Sequence, residues 1–313
     1  MTNRTAVLND TKGDPVNDLR LPAQTHIGYV SLQVANLDRS LEFYSSLLGM
    51  KKAIDLGTTI VLSASGRAPY HILLTERQGA RPKPPRTSGL YHVAIRYPSR
   101  RELAKVFRRL YHHNTEFQGF SDHLVSEAIY LADPDDNGVE LYVDRPRVQW
   151  EVKGNQIQMA TLPLNLESLV KELRDEDADT DPIDSKTDIG HVHLHVSDLQ
   201  TADQFYNVLL GFDVTQRSYP GALFLSAGGY HHHIGANVWA GRGVPPPPDD
   251  AAGLLSVGIA LPSGRSVREL ADWFEKQGAQ FELKDHEALQ TEVLRIKSPD
   301  ALDIEFFSPE NKH

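Results

Sequence analysis

Residues 188–212 read DIGHVHLHVSDLQTADQFYNVLLGF. The stretch opens with alternating apolar residues, the period of a half-buried strand, and puts His191, His193 and His195 on one strand face. Asp198 then offers a helix start, apolar residues follow at helical spacing, and Leu210-Gly211 offers a stop. Residues 28–50, GYVSLQVANLDRSLEFYSSLLGM, align with residues 190–212 without a gap. Gly28 matches Gly190, Val30 matches Val192, Leu37 matches Leu199, Phe43-Tyr44 matches Phe205-Tyr206, and Gly49 matches Gly211. Strand, helix and glycine stop are therefore duplicated, and an internal repeat of this kind organises the whole chain.

Two weaker copies lie between and after these. GLYHVAIRYPSRRELAKVFRRLYHHN (89–114) and GLLSVGIALPSGRSVRELADWFEKQG (253–278) each read as strand then helix. Each runs on to a last strand, in DPDDNGVELYV (133–143) and SPDALDIEFFS (298–308), so that Glu140 follows His92 at nearly the interval by which Glu305 follows Ser256. The reading is an α+β chain of four βαβββ modules, at 23–80, 86–145, 187–241 and 253–309. A polar, disordered leader covers 1–22 and an acidic linker covers 146–186. Four consecutive prolines, Pro245 to Pro248, stiffen the connection between modules three and four. One such module has an open sheet with an apolar face, so pairs of modules are expected to curl around a shared cavity.

Composition narrows the chemistry. There is no cysteine among the 313 residues, which removes disulfides, thiolate metal sites and cysteine nucleophiles and fits a reducing, cytoplasmic setting. The formal net charge of -10 does not suit a nucleic-acid binder. No apolar run reaches membrane-spanning length, and the first residues lack the apolar core of a signal peptide. A metal would have to be held by nitrogen and oxygen ligands, for which the 14 histidines are the supply.

The repeat sorts those histidines. Where module three has His191, module one has Tyr29; where module two has His92, module four has Ser256. Modules two and three together offer His92, His191 and Glu140, whereas modules one and four offer only Tyr29, Ser256 and Glu305. Two imidazoles and one carboxylate on one face of an octahedral ion leave three positions open, an arrangement suited to non-haem Fe(II). His193 and His195 then read as pocket or packing residues, His26 and His71 as structural, and His112 and His113 as a solvated helix end.

THIGYVSLQV, GLYHVAI, DHLVSEAIYLADPDDNGVELYVDRPR, GHVHLHVSDL and SAGGYHHHIGANVWAG together resemble the vicinal-oxygen-chelate superfamily over about residues 25–309, and within it the catechol-2,3-dioxygenase-type extradiol enzymes. The resemblance implies two half-barrel pairs and a metal triad of two first-strand histidines and a last-strand glutamate, which falls on His92, His191 and Glu140. The best-known extradiol enzymes draw the triad from modules three and four. Ser256 breaks that pattern here, so modules two and three should pair instead. The resemblance further implies Tyr130 as a donor to substrate oxygens, His232 as a catalytic histidine on a strand spanning 230–239, and His123 as a second acid–base residue. Trp239, Asn237 and Arg242 are candidates for the pocket mouth. The implied activity is ring opening of a catechol-like substrate by O2 next to its diol, with Fe(II), in a chain that needs neither nucleic acid nor membrane and allows a homo-oligomer. A rival on the same scaffold is a glyoxalase-like isomerase or thiol transferase using Mn(II), Zn(II) or Ni(II); a second is a small-molecule binding protein without catalysis.

Overall fold

Four first strands, each followed by a helix and three more strands, build two curled sheets. A computed structural model describes residues 19–262 and 267–309. Module one runs β1 (His26–Val34), α1 (Leu37–Leu41), β2 (Lys51–Asp55), β3 (Thr59–Ser63) and β4 (Ile72–Glu76). Module two runs β5 (Gly89–Arg96), α2 (Arg100–His112), β6 (Gly119–Asp122), β7 (Ser126–Ala132) and β8 (Gly138–Asp144). The segment between the halves carries three two-residue strands, β9 (Val152–Lys153), β10 (Gln156–Ile157) and β11 (Leu162–Pro163), and the short helix α3 (Leu166–Val170). Module three follows with β12 (Asp188–His195), α4 (Leu199–Ala202), β13 (Asp213–Gln216), β14 (Ala222–Ser226) and β15 (Ile234–Asn237). Module four closes the chain with β16 (Gly253–Ala260), α5 (Val267–Lys276), β17 (Phe281–His286), β18 (Thr291–Lys297) and β19 (Asp303–Phe307).

Modules two and three share a nine-stranded sheet in the order β11-β6-β7-β8-β5-β12-β15-β14-β13, and modules one and four an eight-stranded sheet in the order β17-β18-β19-β16-β1-β4-β3-β2. The joints are the antiparallel pairs β5–β12 and β1–β16. This is the α+β vicinal-oxygen-chelate architecture, with the pairing that Ser256 demands. One apolar cluster draws on all four first strands, through Val30, Val93, Val192 and Val257, and on the helices, through Phe43, Leu103, Phe205 and Phe274. The faces of the first strands that do not enter this core are the ones left free to line the cavities.

The repeat extends to irregularities that periodicity does not show. In both gapless copies the helix widens into a π-helical turn, at Glu42–Leu47 and Asp203–Leu209. The wider turn buries two adjacent aromatics at once, Phe43-Tyr44 and Phe205-Tyr206, each pair in edge contact with centroids 5.0 and 4.9 Å apart. Both turns end at a glycine with φ of +84° (Gly49) or +85° (Gly211), where a side chain would be strained. Both joints carry bulges at the same places, one at Gly28 and Gly190 and one at Leu255 and Tyr91.

The connecting segment and the end of the leader depart from the sequence reading. The first eighteen residues of the expected leader lie outside the described ones, but Leu21 is buried and its N–H donates to Gly211 O. The linker is not a loose tether: β11 extends the large sheet beside β6. Its acidic end binds α2. Arg101 pairs with Asp177, Arg108 with Asp179 and Lys105 with Asp181, and His112 meets Asp179 at 2.5 Å. The basic helix end thus has carboxylate partners rather than solvent alone. No helix among the described residues is long and apolar enough to cross a membrane.

Candidate metal centre

The order β8-β5-β12 places the three candidate ligands on adjacent central strands. Glu140 on β8 and His191 on β12 both stand level with Ala94 on β5. A methyl group between them leaves open space where a larger side chain would intrude. His92, two residues back on β5, projects to the same face. The bulge at Gly190 reverses the alternation, so His191 and His193 face the cavity while Ile189 joins the core. Strict alternation would have put Ile189 beside His191.

The three side chains meet at one point. His92 Nε2 lies 2.9 Å and His191 Nε2 3.1 Å from Glu140 Oε2, and all three residues are buried. His92 Nε2 is not aligned to hydrogen-bond with that oxygen and has no other partner. A buried nitrogen so close to a carboxylate yet unbonded fits a site in which both atoms aim at a shared cation. The protonation states agree. Burial pushes Glu140 up, but the imidazoles of His191 and His92 outweigh it and hold the carboxyl well below its usual range. Burial lowers His191 to about 4 against the pull of Glu140, so its imidazole is neutral. A carboxylate and a neutral imidazole are the forms that bind metal. His191, His231 and His232 also bring ring nitrogens within reach of one another. In that group His231 spends both nitrogens elsewhere, on His232 Nδ1 at 2.8 Å and on Asp144 Oδ1 at 2.9 Å, so the carboxylate-containing set is the better cation site.

The centre opens on a cavity of about 310 Å³ whose wall includes Tyr130, His123, His193 and His232. Tyr130 on β7 stands opposite Glu140. Its hydroxyl lies 2.7 Å from His123 Nε2, and His123 Nδ1 donates to Ala160 O at 2.6 Å. A carbonyl only accepts, so with Nδ1 donating to it the Nε2 of a neutral His123 accepts a hydrogen bond from the Tyr130 hydroxyl. Burial, then the Glu140 charge, pushes the Tyr130 phenol well above its usual range.

His232 reaches the cavity from a bend, not from a strand. The strand expected over 230–239 is confined to Ile234–Asn237, because Gly228 and Gly229, both at positive φ, turn the chain ahead of the three histidines. His232 lines the cavity with its ring centroid 4.1 Å from that of His191. His233 stacks on Tyr230 and accepts from the Ala227 N–H at 3.1 Å. Behind His232, Asp144 fixes the proton on Nε2 of His231. With His231 neutral, its Nδ1 accepts from His232 Nδ1, and His232 Nε2 is left without a proton. Asn237, proposed for the pocket mouth, instead accepts from His195 Nδ1 at 2.7 Å, Trp239 does line the mouth, and Arg242 does not.

Several site residues were not singled out in the sequence: Ala94, the His231–Asp144 support, and Met159, Ala160 and Thr161 of the linker, which line the cavity. For Ala94 a signal existed, since the repeat places Gly258, another small residue, at the same point of module four. There the equivalent of the metal centre is closed by protein groups. Glu305 accepts from Tyr29 Oη at 2.6 Å, Ser256 Oγ at 2.9 Å, and Arg295 Nε and Nη2 at 2.8 and 2.5 Å. A guanidinium supplies the positive charge at the place where Tyr130 stands in the other half.

Residues 26–141 and 188–306 match the family model of the Glyoxalase/Bleomycin resistance protein/Dioxygenase superfamily. A catechol-2,3-dioxygenase of Bacillus subtilis (strain 168) is 42% identical over 280 residues, which cover 88% of this chain and 94% of that protein. Among solved structures, a Bacillus subtilis protein described as a candidate dioxygenase superposes with TM-score 0.64 at 12% identity, over 93% of this chain and 86% of that one. Glyoxalase I from Zea mays superposes with TM-score 0.55 at 16% identity, over 91% and 93%. At such identities the two structures speak for the fold.

Proposed function

The chain belongs to the glyoxalase/bleomycin resistance protein/dioxygenase superfamily and is an enzyme of its dioxygenase branch, and on that premise we propose that it binds one Fe(II) through His92, His191 and Glu140 and opens a catechol ring next to the diol with O2. The observation that carries this is the meeting of His92 Nε2 and His191 Nε2 at Glu140 Oε2 on the wall of the cavity that also holds Tyr130 and His232. When bound, the ion supplies a Lewis-acidic, redox-active centre with three positions left open by its protein ligands.

The chain's own groups handle the protons. His232 Nε2, unprotonated and facing the cavity, accepts a proton from a substrate hydroxyl, while Asp144 through His231 holds its ring in the receptive tautomer. Tyr130 and His123 form a second pair. The Tyr130 hydroxyl donates to His123 Nε2, which leaves its oxygen an acceptor; once a proton reaches that nitrogen, the same hydroxyl is free to donate to negative charge developing on the substrate. The Glu140 carboxylate offsets part of the cation's charge, which limits the cost of burying it. A glyoxalase-like isomerase usually adds a second carboxylate to its metal, and among the described residues Glu140 is the sole carboxylate lining this cavity.

The test is anaerobic loading with Fe(II), metal analysis, and oxygen uptake with unsubstituted catechol. One iron per chain, oxygen consumption and a yellow ring-opened product are expected. Iron-loaded protein that consumes no oxygen with any simple catechol would overturn the reading in favour of a non-oxygen reaction on the same scaffold.

A further inference from the structure

The catechol reading leaves the ring substituent open, and the wall of the cavity bears on it in two ways. The first is charge. Among the described residues lining the cavity there is no lysine, no arginine and no aspartate. A substituent carrying a carboxylate would lose its water there and find no lysine or arginine to pair with, which is unfavourable. The second is shape at the mouth. Tyr91 and Trp239 are 41% and 45% exposed although both line the cavity, and their rings meet edge to face with centroids 5.5 Å apart. Tyr219 continues the rim, 6.4 Å from Trp239 and in edge contact with Phe224 at 5.8 Å.

The rim is fixed in place before any ligand arrives. Trp239 Nε1 donates to Pro220 O at 3.1 Å, and the Tyr219 hydroxyl bonds Thr161 Oγ1 of the linker at 2.9 Å. Gly221, at φ +70°, lies so close under the indole that an added Cβ would sit 3.0 Å from its Nε1. Rings held this way lose little freedom on binding, and they present faces and edges that favour another aromatic ring over a flexible chain.

Resting on the catechol reading above, we propose that the substrate is an uncharged catechol bearing an aryl substituent, seated with its diol at the His92–His191–Glu140 centre and its second ring against Trp239, Tyr91 and Tyr219. The cavity of about 310 Å³ is at the small end of ligand pockets and has room for two rings.

Anaerobic calorimetric titration of Fe(II)-loaded protein, followed by steady-state oxygen uptake, tests this with four diols: unsubstituted, phenyl-substituted, butyl-substituted and carboxylate-bearing catechol. The phenyl diol is expected to bind about tenfold more tightly than unsubstituted catechol and the butyl diol, and the carboxylate-bearing diol more weakly than all three. In Trp239→Ala the gap between phenyl and unsubstituted diol should close to within about threefold, and Trp239→Phe should restore most of it. A carboxylate-bearing diol that binds as well as the phenyl one overturns the proposal, as does a butyl diol that matches phenyl, or a gap unchanged in Trp239→Ala. Tighter binding of the phenyl diol without oxygen uptake from any diol would uphold this substrate class while sinking the oxygenase reading.

Discussion

A histidine on a strand face is by itself weak evidence of a ligand. His92 and His191 became legible because the repeat supplies a control for each, Ser256 and Tyr29, at positions that share their backbone. His193 has Ser31 at its place in the repeat, so the repeat does not separate it from a ligand, and the structure shows it lining the same cavity with Nε2 unpartnered. The distinction is measurable. His92→Ala and His191→Ala should each lose the ion on dialysis after anaerobic loading, while His193→Ala keeps one equivalent by metal analysis. Equal loss in all three would place the centre elsewhere on β12. Tyr130→Phe should keep its iron and turn over on the order of a hundredfold more slowly, since one positioned proton donor or acceptor is removed. Ala94 carries no signal of its own, because its role is to be small; only the small residue at the same point of module four, Gly258, marks it. Asp144 was invisible for another reason: it acts on the cavity only through His231, a link that exists in three dimensions alone.

Elements were readable where period and stop signals agreed, as in the duplicated strand–helix–glycine units. They were misread where the chain leaves a regular period. The bulge at Gly190 and the bend at Gly228-Gly229 both change which face a side chain takes, and neither has a residue pattern that separates it from ordinary strand or turn. The linker shows the same limit. Its acidic run was plain, but its partner, the basic face of α2, had to be brought beside it by the fold. Arg109, buried, donates to the backbone carbonyls of Asp179 and Asp181 and ties the segment down further. Upstream, the same segment delivers Met159, Ala160 and Thr161 to the cavity. Asp179→Ala removes the partner shared by Arg108 and His112, so it should loosen the segment while leaving the metal centre intact. Each surface pair contributes little, about 0–1 kcal/mol, but here they form a network. Faster amide exchange across residues 156–163 and a raised KM at unchanged iron content are expected. Unchanged exchange would mean that β11 alone holds the segment.

At the scale of the whole molecule, the pairing of modules two and three followed from which modules carry ligands. The aromatic rim did not, because it gathers Tyr91, Tyr219 and Trp239 from separate stretches of chain. The two halves differ in how each surrounds a buried carboxylate: Glu140 stands beside two imidazoles, in the set proposed to hold an ion, and Glu305 is given an arginine. Glu305→Gln should therefore cost stability, roughly 1–3 kcal/mol in denaturant unfolding given the partial exposure of Arg295, with little change in kcat/KM.

Acid should act on the fold mainly through buried imidazoles. Burial lowers His71, in the other half, and His191, His193, His232 and His233 at or near the candidate metal centre, His191 to about 4. In the unfolded chain each returns to an ordinary value of about 6.5. Below that pH the unfolded chain takes up protons that the folded one refuses, so the stabilisation is complete above about 6.5 and is lost as pH falls towards 4. The carboxyls of Glu140 and Glu305, held low in the fold, add their own losses only below the ordinary carboxylate range. Denaturant unfolding of metal-free protein should therefore show stability falling by several kcal/mol between pH 7 and pH 5, with more than one proton taken up on unfolding. Iron-loaded protein should begin more stable and fall more steeply, because protonation of the ligands also expels the ion. A stability flat across that range in the metal-free protein would mean that these imidazoles reach water in the folded state, and that the cavity is open where the structure closes it.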